Sequence, residues 1–122
     1  MKIFLAIAAL LAWLFGAMLL LMPEKFYAPT GIEMTPMLAT VAQAHGATLV
    51  GLGVITWFAR NAEKRGLMAV LGGSLVVQIL SLGVVLRTMQ LGAGMAVAPG
   101  VVIHVTLGSL FAFFLLRLRK HP

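Results

Sequence analysis

Four long apolar stretches dominate the sequence and constrain what it can fold into. They cover approximately residues 3–22, 37–59, 67–88 and 97–116, and no aspartate or glutamate lies in any of them. Each is close to the roughly 20 residues that a helix needs to cross a hydrocarbon core of ~30 Å. Because irregular backbone cannot face lipid, all four stretches are predicted to be transmembrane helices.

The composition is typical of a protein surrounded by lipid. Of the 122 residues, 61% are hydrophobic and 10% are charged, and the mean hydropathy is +1.07. A soluble domain usually has about a quarter of its residues charged, so this chain has too few charges to cover a water-facing surface. We therefore predict one integral membrane domain over residues 1–122, an all-α bundle of four transmembrane helices in up-down-up-down order.

Helix-breaking residues fall between the apolar stretches. Pro23 ends the first helix and opens the longest loop, which continues to Gly31 and beyond. Thr35 followed by Pro36 is the pattern of an N-cap and a first helical turn, so the second helix is expected to begin there. Residues 60–66 form a short charged turn, residues 90–94 form a glycine-containing turn, and Pro99-Gly100 lies near the start of the fourth helix.

Lysine and arginine are distributed unevenly around these helices. Lys25 and Arg87 lie on one side, and seven basic residues lie on the other: Lys2, Arg60, Lys64, Arg65, Arg117, Arg119 and Lys120. The positive-inside rule places the larger group in the cytoplasm. Both termini are therefore predicted to be cytoplasmic, in a bacterial inner membrane. The net charge of +6 reflects this topology and not nucleic-acid binding, since no basic stripe is interleaved with exposed aromatic residues.

Three polar residues lie deep in the predicted spans: His45, Gln78 and His104. Such side chains are costly in hydrocarbon, so each is a candidate ligand-binding residue. The two histidines lie about eight residues into helices of the same direction, which places both roughly 12 Å below the periplasmic surface. Gln78 lies near the midplane, so all three could meet inside one bundle.

Small and polar residues share helix faces with these candidates. A ridge with a member at every fourth position runs along the fourth helix, formed by Gly100, His104, Gly108 and Ala112. One face of the third helix carries Ser74, Gln78 and Ser81. Ridges of small residues let helices approach closely, so His104 is expected to face a partner helix or a pocket. In the second helix, Ala47 and Gly51 are expected to form a close-approach pair.

The loop after the first helix supplies two more candidate binding residues. Tyr27 follows Phe26, and aromatic residues with a polar group are enriched at the membrane–water interface. Glu24 lies in the same loop and is expected in the headgroup region or folded over the mouth of a pocket.

Two segments resemble the small four-helix bacterial membrane proteins of the DoxX-like type. They are Leu21-Met22-Pro23-Glu24-Lys25-Phe26-Tyr27 and the run from Gly46 to Arg60, GATLVGLGVITWFAR. The resemblance covers most of the chain as a hydropathy pattern and about thirty residues as motif. It implies a left-handed four-helix bundle and, in some members, association with larger redox or transport assemblies. Members often place an arginine early in the second helix, where this chain has His45.

The function expected from these features is non-catalytic. The sequence has no cysteine, no aspartate, and no nucleophile-elbow, Walker or HExxH motif. We therefore predict a membrane protein that binds an apolar ligand, or an accessory subunit that docks to a larger membrane complex, without a cofactor. Small-residue faces are also consistent with a homo-oligomer.

Two alternatives stay open at the level of sequence. Histidines at matched depth suit bis-imidazole ligation, so His45 and His104 could hold a non-covalent b-type haem in a redox protein. A histidine can also move a proton, so the chain could be an isomerase or related enzyme acting on a lipid or sterol-like substrate. A transporter is less favoured, because no acidic residue lies in a span to couple ions.

Overall fold

The structure, a computed structural model, describes residues 1–120, and no β-strand occurs among them. The long helices are α1 (Lys2–Leu21), α3 (Pro36–Ala59), α4 (Lys64–Thr88) and α5 (Ala98–Lys120), and a short helix, α2, spans Pro23–Tyr27. Each of the four apolar stretches has therefore become a helix, which confirms the all-α prediction.

Three helical stretches in the described residues are long and apolar enough to cross a membrane. They are Lys2–Leu21, Pro36–Ala59 and Lys64–Lys120. The third is 57 residues long, because α4 and α5 are joined through a π-helical turn (Met89–Ala93) and a 3₁₀ turn (Gly94–Val97). Gly92 and Gly94 interrupt this stretch with positive φ values of 121° and 54°. The glycine-containing turn predicted between the third and fourth helices is thus the point at which the two helices separate.

The chain folds as two compact units, of which the first is Met1–Asn61. In it α1 and α3 form an antiparallel hairpin. Lys2 Nζ donates to Asn61 Oδ1 over 3.3 Å at one end, and Gln43 Nε2 donates to the Leu20 carbonyl over 3.3 Å at the other. The predicted cap is confirmed, since Thr35 Oγ1 accepts the Leu38 backbone N–H at 3.2 Å and so satisfies a terminal donor of α3.

Small residues let α1 and α3 touch backbone to backbone. A Cβ atom on Gly46 would lie 2.7 Å from the Gly16 carbonyl oxygen, and one on Gly16 would lie 2.9 Å from the Gly46 oxygen. The buried residues of α3 follow this contact line: Ala42, Gly46, Gly53, Thr56 and Ala59. The close approach predicted at Ala47 and Gly51 is wrong, because both are exposed and a Cβ on Gly51 would meet no atom within 4 Å in the described structure.

The two tryptophans lie in this hairpin, and Trp13 fills the space that Gly53 leaves. A Cβ on Gly53 would lie 2.5 Å from the Trp13 ring, whose Nε1 donates to the Val50 carbonyl over 3.2 Å. The Trp13 and Trp57 ring centroids are 5.4 Å apart, and the Arg60 guanidinium lies 3.4 Å from the centroid of Trp57. This cluster of two indole rings and a guanidinium lies where α3 meets the charged turn.

The segment after α1 is helical where a loop was predicted. Met22 breaks α1 with φ −142° and ψ 54°, and Pro23 then takes the first position of α2, where a missing N–H costs nothing. Phe26 packs edge-on against Phe15 of α1, with centroids 6.2 Å apart. That contact holds α2 against the end of α1.

The second unit begins at Ala62 and contains α4 and α5 as another antiparallel hairpin. The order of contacts along the two helices shows that they are antiparallel. A Cβ on Gly100 would lie 3.5 Å from Val85, and a Cβ on Gly108 would lie 3.4 Å from Gln78 Cβ. The ridge that carries His104 therefore faces α4, as its spacing predicts.

Candidate functional site

The structure brings together two of the predicted polar residues, Gln78 of α4 and His104 of α5. Gln78 Oε1 and His104 Nδ1 are 2.7 Å apart. A carbonyl oxygen can only accept, so Nδ1 must carry the proton in this contact, and in a neutral imidazole the acceptor nitrogen is then Nε2. Both side chains are half-buried. The pair joins the two helices of the hairpin at the place where Gly108 faces Gln78.

The pair lies on the wall of a groove between α4 and α5 with a volume of about 210 Å³. The groove is open along one side and its surface is almost entirely apolar. Four residues of each helix line it: Leu75, Gln78, Ile79 and Leu82 of α4, and His104, Val105, Gly108 and Ser109 of α5. An apolar lining with a few convergent polar groups is the composition usual in small-molecule sites, which are commonly larger, at about 300–1,000 Å³.

The amide of Gln78 forms a hydrogen bond through its oxygen only. Its single hydrogen bond within residues 1–120 passes through Oε1, so its nitrogen has no acceptor in that part of the chain. No fully buried polar side-chain atom lacks a partner among these residues, so this nitrogen is accessible. Two amide N–H donors of this groove-lining residue thus remain without an acceptor within residues 1–120.

The predicted serines are arranged differently from the pair. Ser74, Gln78 and Ser81 are all half-buried on α4, as their shared face implies, but neither serine lines the groove. Ser109 lines it instead, and sequence spacing did not single this residue out. Its signal was available, since Ser109 follows Gly108 of the small-residue ridge and is one turn beyond Val105.

The other predicted binding residues all lie in the first unit. His45 is exposed on α3. It is next to Gly46, which contacts α1, but His45 itself lies outside that contact. Glu24 is exposed on α2. Tyr27 is half-buried, with its ring 5.1 Å from that of Phe26, and burial raises the pKa of its phenol above the usual 10.0.

No group of three or more histidine, cysteine, aspartate or glutamate residues comes together within residues 1–120. The α4–α5 hairpin has a single histidine in its described range, so it could supply one of the two ligands of a bis-histidine haem. Haem ligation by His45 and His104, and proton transfer to a lipid substrate, stay predictions.

Comparison of the chain with protein-family models, with curated proteins and with solved structures gives no match.

Proposed function

We propose that the chain is a non-catalytic, four-span membrane protein that binds an apolar ligand in the groove between α4 and α5. The observation that carries this proposal is the Gln78–His104 pair on the wall of an otherwise apolar, laterally open cleft. A polar pair is costly in hydrocarbon, and its placement beside a cleft that lipid-soluble molecules can enter supports a role in binding.

Four crossings in up-down-up-down order are supported by the two antiparallel hairpins. Helices α4 and α5 have 25 and 23 residues, each enough for a hydrocarbon core of ~30 Å. The basic residues fall at matching hairpin ends, Lys2 with Arg60 in one and Lys64 with Arg117 in the other. On the positive-inside rule, these ends and both termini are cytoplasmic in a bacterial inner membrane.

A catalytic role is less well supported. The three glutamates of the chain lie at positions 24, 33 and 63, outside the four long helices, and the sequence has no aspartate. Proton-transfer chemistry at the groove would have to rely on His104 alone. Ligand binding needs no such group.

A docking role in a larger membrane complex is the second candidate. One exposed face of α4 carries small and branched residues at heptad spacing, Ala69, Gly73, Val76, Leu80 and Gly83. A Cβ on Gly73 or Gly83 would meet no atom within 4 Å in the described structure, so this face can accept a closely packed helix. The resemblance to DoxX-like proteins, some of which associate with larger assemblies, also favours this docking role.

Two identical substitutions on α5 test the groove. Val105 lines it and is 49% exposed, whereas Val102, one turn earlier, is 64% exposed and lies outside it. Val105→Trp should fill the groove without disturbing a buried side chain. Val102→Trp should leave the groove open. In lipid nanodiscs, a diazirine hydrocarbon probe should label α4 and α5 peptides of the wild type and of Val102→Trp.

Labelling of those peptides should fall several-fold in Val105→Trp. If both tryptophan variants label like the wild type, the probe reaches the helices from bulk lipid and the groove is not a binding site. Native mass spectrometry of the same samples tests docking, since a stable complex would appear as an added partner or a second copy.

A further inference from the structure

The unpaired side of Gln78 indicates what kind of ligand the groove would take. An amide N–H without an acceptor in an apolar medium costs several times a net hydrogen bond, so such groups are nearly always satisfied. Gln78 lines the groove and gives its oxygen to His104, and its two N–H donors have no acceptor within residues 1–120. The complementary group on a ligand is a hydrogen-bond acceptor.

The depth of Gln78 in the membrane limits which molecules could supply that acceptor. Arg65 and Arg87 mark the two ends of α4, and Gln78 is nine residues from Arg87, or about 14 Å at 1.5 Å per residue. Arginine side chains near helix ends reach toward the interface, where the ester carbonyls of phospholipids also lie. An ester carbonyl of a lipid held by its headgroup would therefore lie too far from Gln78.

We propose that the groove binds a neutral, wholly lipophilic molecule through a ketone-type carbonyl that accepts from Gln78 Nε2. This inference rests on the proposed function, since it needs the groove to hold a ligand. The groove volume of about 210 Å³ suits the carbonyl-bearing part of such a molecule and not a whole lipid, so its chain would extend into the bilayer. Ser109, which lines the same groove, offers a second polar contact.

A matched pair of competitors tests the proposal in the full chain in nanodiscs. Heptadecan-9-one and heptadecane have the same chain length and differ at one carbon by the carbonyl. Each competes with the diazirine hydrocarbon probe, and concentrations are expressed as mole fraction in the bilayer. One net hydrogen bond predicts that the ketone competes about 3- to 10-fold better than the alkane in the wild type.

The double variant Gln78→Met with His104→Leu removes both members of the pair, so neither side chain is left without the other. Its ketone-to-alkane ratio should fall to about 1 while the alkane still competes. Ser74→Ala, on the same face of α4 but outside the groove, should keep the wild-type ratio.

The outcomes separate the two proposals. Equal competition by ketone and alkane in the wild type overturns the carbonyl inference and leaves apolar binding intact. A ketone preference that persists in the double variant also overturns it, because the acceptor site would lie elsewhere. If neither compound protects the α4–α5 peptides in the wild type, ligand binding in the groove is itself wrong.

Discussion

The contact between Gly16 and Gly46 makes a sharp prediction about the first hairpin. Gly46→Ala would place a methyl group 2.7 Å from the Gly16 oxygen, 2.8 Å from the Leu20 nitrogen and 3.0 Å from Leu19 Cβ. Relaxed contacts of carbon with heavy atoms lie at about 3.5–4.0 Å. Two of these three neighbours are backbone atoms that cannot rotate away, so α1 and α3 must separate by roughly 1 Å along their seam.

The magnitude follows from the two effects of alanine. Overfilling a packed contact costs about 1–3 kcal/mol. Replacing glycine by alanine in a helix interior also gains up to about 1 kcal/mol of helix propensity in water. Gly51→Ala has that second effect alone, because its Cβ would meet no atom within 4 Å in the described structure. The difference between the two variants isolates the steric term, and we expect Gly46→Ala to be less stable than Gly51→Ala by about 1–3 kcal/mol.

Unfolding in mixed detergent and dodecyl sulfate micelles measures this difference. The two tryptophans of the chain both lie in the first hairpin, so their fluorescence reports on its opening without a label. The midpoint for Gly46→Ala should shift to a lower dodecyl sulfate fraction, and that for Gly51→Ala should stay or rise slightly. Equal midpoints for the two variants would show that α1 and α3 do not meet at Gly16 and Gly46.

Two further predictions concern the first unit. Gly53→Ala would place a methyl group 2.5 Å from the Trp13 ring, so it should lower the unfolding midpoint, and adding Trp13→Phe should recover part of the loss; additive losses would contradict this contact. Tyr27 is the single tyrosine of the chain and burial raises its pKa, so tyrosinate absorbance should appear above pH 10.0, later than for free tyrosine. Because the unfolded phenol ionises first, the stability contributed by neutral Tyr27 is present below pH 10.0 and is lost as the pH rises through the folded pKa, and Tyr27→Phe should remove this part of the alkaline sensitivity.

Elements that depend on local chemistry could be read from the sequence. The apolar stretches became α1, α3, α4 and α5, Thr35 caps α3, and the glycines at 92 and 94 lie where the helical path changes. These features depend on the hydropathy of a window, a cap or a positive φ, each of which is a property of a few neighbouring residues.

The Gln78–His104 pair could be predicted from the sequence only in part. The four-residue recurrence around His104 placed it toward a partner helix, and the face shared with Ser74 and Ser81 placed Gln78 on the half-buried side of α4. Periodicity gives the face of each helix, but the distance between two side chains depends on how far the helices slide along each other. The 2.7 Å contact and the position of Ser109 on the groove wall both depend on that register.

The sequence by itself determined that the chain is helical, apolar and interrupted at defined points, because lipid-compatible backbone must hydrogen-bond within its own segment. Only the tertiary structure decided that Gly46 and Gly53, and not Gly51, lie at the helix contact, and that Trp13 occupies the space beside Gly53. The physical reason is that hydrocarbon is as apolar as the packed face of a helix, so hydrophobic patterning no longer separates inside from outside. Shape complementarity then chooses among several small-residue faces.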